Sequence, residues 1–314
     1  MIRWHHLIAA LGAAAVWVAA GWADQTDFAA GKVGASELGL GLGSRPVAMG
    51  EAFIAKADDV NATAWNPAGL AQIGGIEAGF MHNIYLQGTS VEYLAYAQNI
   101  FGGSGLGANL MYINYGQFSR YVVGSDGLPE AQGDFTPSVL AFSAGYGQWL
   151  VPMVAVGATI KYFSQTIDTE SYSAVAFDAG VLVKPPVLNL QLGAVVRNLG
   201  TPVLDFNLPL AAKVGAAYKL PVQLFDKDSW NVLLDVDVPF GDTRYVSANL
   251  GTEYWYTNYA LRLGYKIRET GGLGGSTGLT LGLGIRGELL VVDYALAAFG
   301  DLGTAHQFSV GVHF

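Results

Sequence analysis

Tyr259-Ala260-Leu261-Arg262-Leu263-Gly264-Tyr265-Lys266-Ile267-Arg268 alternates without a miss. The odd positions are large and apolar; the even ones are alanine, glycine or a cation. Successive strand side chains point to opposite faces, so this period of two reads as a β-strand with one greasy face. The pattern recurs to the last residue. Trp230, Val232, Leu234, Val236 and Val238 alternate with Asn231, Leu233, Asp235 and Asp237. Leu279, Leu281, Leu283 and Ile285 alternate with Thr280, Gly282, Gly284 and Arg286. Phe308, Val310, Val312 and Phe314 alternate with Ser309, Gly311 and His313. The uncharged run from Phe135 to Ile160 is long enough for a membrane helix. It too alternates, and Pro137, Gly145, Gly147, Pro152 and Gly157 interrupt it.

Alternation alone does not say whether the greasy face meets a core or lipid. Composition does. Of 314 residues, 52% are hydrophobic and only 13% are charged, against ~25% charged in an ordinary soluble domain. Glycine (42) and Tyr, Phe and Trp (16, 15 and 7) are abundant, which excludes disorder. The absence of cysteine excludes a disulfide framework, a cysteine zinc site and a thiol nucleophile. A net charge of −9 argues against nucleic acid as a partner. The expected class is all-β: a transmembrane outer-membrane β-barrel, greasy side outward, enclosing a lumen of glycine, small polar residues and isolated charges.

Residues 1–23 read as an export signal: Arg3 near the start, an apolar run from Leu7 to Ala20, then small residues. Residues 24–74 form an N-terminal plug segment, and 75–314 the barrel. About 14 antiparallel strands fit there, the first near 75–87 and the last near 304–314, an even number as closure requires. Short links mostly alternate with long ones, the longest being Gln117 to Phe135. In the plug, a short helix is expected from about Val60 to Trp65, with Asp58 or Asp59 as its cap. Asn66-Pro67-Ala68-Gly69 should end it in a turn.

Arg45 to Gly50, Ala57-Asp58-Asp59 and Trp65 to Ala71 together resemble the entry segment of the PorV/PorQ family. That family sits within the FadL-like (OmpP1/FadL/TodX-type) β-barrel group. Leu192 to Gly200, Leu261 to Lys266 and Asp293-Tyr294-Ala295 extend the likeness over nearly the whole exported chain. The resemblance implies a plugged 14-stranded barrel. It marks Arg45, Met49, Asp58, Asp59, Asn61, Trp65, Asn66, Pro67 and Gly69 as the hatch, and an aromatic terminal strand, with Phe308 and Phe314, as the barrel-insertion signal.

No catalytic or cofactor motif stands out, and no cofactor or metal is expected. Gly39 to Gly43 lacks the βαβ setting of a dinucleotide loop, and His82, His306 and His313 are scattered. Arg197, Lys213, Asp235, Asp237, Glu253, Arg262, Lys266, Arg286 and Asp293 are expected to form a polar network across the lumen. Asp58 and Asp59 should pair with Arg45. Tyr85, Tyr96, Tyr112, Trp149, Trp230, Tyr254, Trp255 and Tyr256 fall near strand ends and suggest an aromatic girdle. The leading functional expectation is a non-enzymatic role in protein secretion or surface attachment, as PorV/PorQ implies. Alternatives are a FadL-like channel for hydrophobic small molecules such as fatty acids, and a structural outer-membrane protein. Expected partners are outer-membrane lipid, the barrel-assembly machinery, and secretion-system proteins or a hydrophobic ligand. The expected location is the Gram-negative outer membrane. A conduit should show an apolar pocket near Val47 to Leu70 beside a break in the wall. An export partner should show a sealed lumen and an apolar patch on the external loops.

Overall fold

The computed structural model describes residues 33–186, 189–240, 246–268, 274 and 276–314. The expected signal, 1–23, the start of the plug segment and most of the 269–275 loop lie outside the described residues.

Sixteen strands are formed: β1 (Ile76–Ile84), β2 (Ser90–Phe101), β3 (Ser104–Asn114), β4 (Phe118–Val123), β5 (Pro129–Phe135), β6 (Ser138–Val151), β7 (Val154–Ile167), β8 (Glu170–Val183), β9 (Leu190–Gly200), β10 (Ala211–Lys219), β11 (Asp228–Pro239), β12 (Ser247–Tyr256), β13 (Tyr259–Ile267), β14 (Leu279–Arg286), β15 (Leu290–Ala298) and β16 (Thr304–His313). Fourteen of them close into one antiparallel barrel, each beside its neighbour in sequence, with β3 on β6 and β16 on β1. The remaining two, β4 and β5, pair only with each other. Sequence periodicity places the barrel strands but leaves this hairpin as loop.

The alternation resolves as expected. On β13, Leu261, Leu263 and Tyr265 are exposed on the outer surface, while Ala260, Arg262 and Lys266 are buried inside. β6 does the same, with Leu140, Phe142 and Tyr146 exposed and Val139, Ala141 and Ser143 buried. The outer face is therefore continuous in large apolar side chains, as a wall facing hydrocarbon needs.

The chain enters and leaves the barrel at one rim, where Ile76 and Phe314 exchange backbone hydrogen bonds of 3.1 and 2.9 Å. Two-residue links follow β2, β6 and β12 there, whereas the opposite rim carries 115–137 and 201–210. Short turns face the periplasm and long loops face outward in such barrels, which makes the rim with the chain ends the inner one. The 220–227 link breaks this rhythm, being long on the inner side.

Residues 33–74 run along the inner wall as short turns of helix: Ser36–Gly39, Ser44–Ala48, Ala62–Trp65 and Pro67–Gln72. The helix expected from Val60 begins later, at Ala62, and its cap position is Asn61, whose side chain makes no cap bond. Asp59 acts one step earlier, its Oδ1 accepting from the Asn61 backbone at 2.9 Å. The turn after Trp65 is made by Asn66, whose Oδ1 accepts from the Ala68 backbone at 3.2 Å, and it opens directly into the Pro67–Gln72 helix.

This segment lies in a seat of glycines. Ala48 rests on Gly282, Met49 on Gly251, Gly50 on Gly264, Ile54 on Gly193, Pro67 on Gly157 and Leu70 on Gly105. The contacts step around the barrel from β14 through β13, β12, β9 and β7 to β3. A Cβ at Gly264 would run into the backbone of Met49 and Gly50; one at Gly157 would meet that of Pro67 and Ala68. Glycine here serves close approach of one backbone to another.

Candidate functional site

Arg45, buried at 6% exposure, joins the segment to the wall. Its Nε donates to Glu253 Oε2 at 2.7 Å and its Nη2 to Oε1 at 3.0 Å. Such a two-pronged pair is strong and directional. Its Nη1 reaches Asp58 at 2.7 Å and Asp59 at 2.8 Å, the pairing expected from sequence. Glu253 is shared with Arg262, at 2.9 Å, which also donates to Asp293 at 2.6 Å. Burial opposes the charge on Asp58, but Arg45 and Lys56 outweigh it and hold its pKa down to about 2.

The other expected lumen charges do not join this cluster. Asp235 was expected to face cations, but its Oδ2 accepts from the backbone of Phe53 and Ile54 at 2.7 and 2.8 Å. It caps a turn of the inner segment, because the glycine-lined approach brings two free N–H groups onto it. Lys213 pairs with Asp237 at 2.7 Å, and Lys266 with Glu51. Burial pushes the Glu51 pKa up, yet Lys266 and Lys213 bring it below the ordinary value. Arg197 lies 3.8 Å from Asp178, which Lys161 also holds at 2.6 Å. Arg286 is exposed at the inner rim and stacks on Trp255 at 4.8 Å, outside the ion pairs among the described residues. The expected single network is therefore several separate clamps. Register across strands divides it, and register is not visible in one strand's sequence.

The remaining hatch residues are structural partners of the same seat. Trp65 Nε1 donates to the Leu42 carbonyl at 2.8 Å, and Asn61 Nδ2 to Asp59 at 2.9 Å. Asn66 Nδ2 reaches the carbonyls of Ile54 at 2.9 Å and Val181 at 3.2 Å. Gly69 packs on Ala57. Phe308 is exposed on the outer wall, and Phe314 on the inner rim. Three girdle aromatics point the other way, and the first, Tyr85, packs on the lumen cluster and on Phe299. Trp149 turns inward to donate to the Ala71 carbonyl at 2.9 Å, and Trp255 lies beneath Arg262 and Arg286. The two tryptophans sit on inward positions of their strands, so proximity to a turn misjudged them.

Two regions of lumen flank the clamp. Toward the inner rim is a cavity of about 530 Å³, lined by polar and charged residues including Arg45, Lys56, Glu77, Glu253 and Asp293. Toward the outer rim the inward positions of β2, β3 and β6 are apolar, whereas β9 to β13 carry Arg197, Lys213, Asp237 and Lys266 there. Val91, Ile113 and Val139 form one row across β2, β3 and β6, and Tyr93, Met111, Ala141 and Phe163 form the next. Leu38 is buried among them, and Leu40 and Leu42 pack against the same cluster. The apolar pocket that a conduit should show near Val47 to Leu70 is not what borders that stretch, which meets the polar cavity. That stretch is tightly packed and faces the charged cavity; apolar lining lies beside Leu38 to Leu42. The wall is hydrogen-bonded all round, with a mid-wall shift of register on β8 between Phe177 and Ala179. Asn198 stands opposite with φ +61°, and its backbone N–H donates to Asp178 at 2.8 Å.

No group of three or more metal-ligating side chains occurs among the described residues. His82 pairs with Glu92 at 2.7 Å and His306 with Tyr294 at 2.8 Å.

The model of one family, described as "Uncharacterised protein family (UPF0164)", matches residues 11–176. No curated protein matches the sequence. Among solved structures, the toluene transporter TodX of P. putida is similar at TM-score 0.58 and 14% identity, over 87% of this chain and 99% of that one. The monoaromatic hydrocarbon channel CymD is similar at 0.57 and 12%, over 87% and 96%. A FadL homologue of Pseudomonas aeruginosa is similar at 0.50 and 12%, over 84% and 97%. Identities this low speak for the shared fold, a barrel like those of outer-membrane channels.

Proposed function

The chain belongs to the uncharacterised protein family UPF0164, a membership that brings no activity with it, and from the barrel's geometry we propose that it is an outer-membrane channel for hydrophobic small molecules. One observation carries the reading: on the side of β2, β3, β6 and β7 the outer half of the lumen is lined by Val91, Met111, Ile113, Val139 and Phe163. A water-filled porin presents polar side chains there. An apolar lining with few polar groups suits an apolar ligand. The named roles of TodX and CymD lend support. The conduit reading thus takes precedence over secretion, and it is non-enzymatic.

The test is uptake. Outer-membrane vesicles with and without the protein are given radiolabelled toluene and a radiolabelled fatty acid. Faster entry of either with the protein, reduced by Val139→Glu, is the expected result. Equal entry with and without the protein overturns the reading.

A second reading, attachment of a secretion partner, has its own support. The β4–β5 hairpin exposes Phe118, Tyr121, Val123 and Leu128 beyond the outer rim. Cross-linking from Tyr121 in whole cells checks it; recovery of no protein adduct counts against it.

A further inference from the structure

The apolar row of the outer lumen continues across β1 and β16 into two carboxamides. Asn83 lies opposite Val91 on β2 and opposite Gln307 on β16. Asn83 is 0% exposed and Gln307 4%. Neither terminal atom of Asn83 has a hydrogen-bond partner among the described residues, and Gln307 Oε1 has none. Gln307 Nε2 donates to the Gly41 carbonyl at 3.3 Å. Buried carboxamides are costly to leave unmade. A lumen built only to be greasy would carry leucine at both places.

Resting on the channel reading, we propose that Asn83 and Gln307 form a polar recognition spot beside the apolar lining, and that the cargo is an uncharged molecule with an apolar body and one hydroxyl group. The cargo reaches the spot where Leu40 and Leu42, either side of Gly41, now pack. The free atoms are one donor, Asn83 Nδ2, and two acceptors, Asn83 Oδ1 and Gln307 Oε1. A hydroxyl accepts from Asn83 Nδ2 and donates its one proton to one of the two acceptors. A pure hydrocarbon leaves all three orphaned. A carboxylate offers no proton to the two acceptors and brings a charge that needs a counter-ion. Lys161 and Arg197 are committed to Asp178, Lys213 to Asp237 and Lys266 to Glu51, and Arg268 is exposed at the outer rim, stacked on Phe299. Sites built to hydrogen-bond a substrate hydroxyl discriminate against analogues lacking it.

The experiment compares entry of octane, 1-octanol and octanoate into outer-membrane vesicles with and without the intact protein, each rate taken as the excess over protein-free vesicles. The wild type is expected to favour 1-octanol over both others by about fivefold to tenfold, the worth of one neutral hydrogen bond. In Asn83→Leu/Gln307→Leu the advantage over octane disappears while octane entry is kept. Gln307→Met alone keeps part of it. Folding of each variant is read from heat-modifiable migration, and the wild-type ranking tests the proposal even if the double variant does not fold. Octane or octanoate entering at least as fast as 1-octanol in the wild type overturns the proposal and leaves the channel reading standing. An advantage unchanged in a folded double variant also overturns it. No excess entry of any of the three sinks both readings.

Discussion

Arg45 is the residue on which the inner segment turns. It is a single buried cation facing three carboxylates: Glu253 on the wall, and Asp58 and Asp59 on its own segment. Removing one partner of a buried pair strands the rest, typically at a cost of ~3–5 kcal/mol. Arg45→Met is therefore expected to detach the segment before the barrel itself fails, read as new protease cuts between residues 45 and 60 in a still heat-modifiable protein. The pH dependence follows from Asp58. Its folded pKa, about 2, lies below the ordinary aspartate value of 3.8. A depressed carboxyl pKa adds stability that is present above the unfolded value and lost as pH falls through the folded one. Protease resistance of the segment is expected to hold at pH 5, decline below about pH 4 and be gone near pH 2. Loss already at pH 5 would contradict the assignment of Asp58 to the clamp.

At the scale of elements, β4–β5 is separable from the rest. Its strands pair only with one another, and its tie to the barrel loops includes the Arg120–Asp168 ion pair, a half-buried contact at the surface and of small worth. Replacing residues 118–135 with a short glycine-serine link is expected to shift barrel stability by under ~1 kcal/mol, measured as the urea midpoint of unfolding from vesicles. Legibility in sequence divides along the same line. β13 and β14 are plain because every second residue is large and apolar, a pattern that lipid imposes on a barrel strand. The Phe118–Val123 and Pro129–Phe135 strands stand clear of lipid, and most of their residues on both faces are exposed, so no alternation marks them. Arg45 with Asp58 and Asp59 was readable because the partners are close in sequence. Asp235 with the Phe53 and Ile54 backbone was not, since no side-chain pattern announces a backbone donor about 180 residues away. The carboxamides Asn83 and Gln307 were equally silent, for they become neighbours only when β16 closes on β1.

For the molecule as a whole, the wall must satisfy hydrocarbon without and a folded chain within. Leu263, midway along β13 and 47% exposed, marks the outer demand. Leu263→Arg is expected to cost ~2–4 kcal/mol, whereas Tyr259→Arg at the inner rim should cost ~0–1; equilibrium refolding into bilayers measures both. Equal penalties would mean that the face does not sit in a membrane. The inner demand is met by leaving side chains out. From Gly282 round to Gly105 the seat is a mould of the polypeptide that fills it. A barrel stripped of residues 33–72 would not collapse onto the empty groove, because its hydrogen-bonded hoop fixes the circumference. It would be expected instead to become a leak the width of a peptide backbone, admitting ions and sugars regardless of greasiness, so that in a membrane the tether Arg45 provides would also keep the barrier selective.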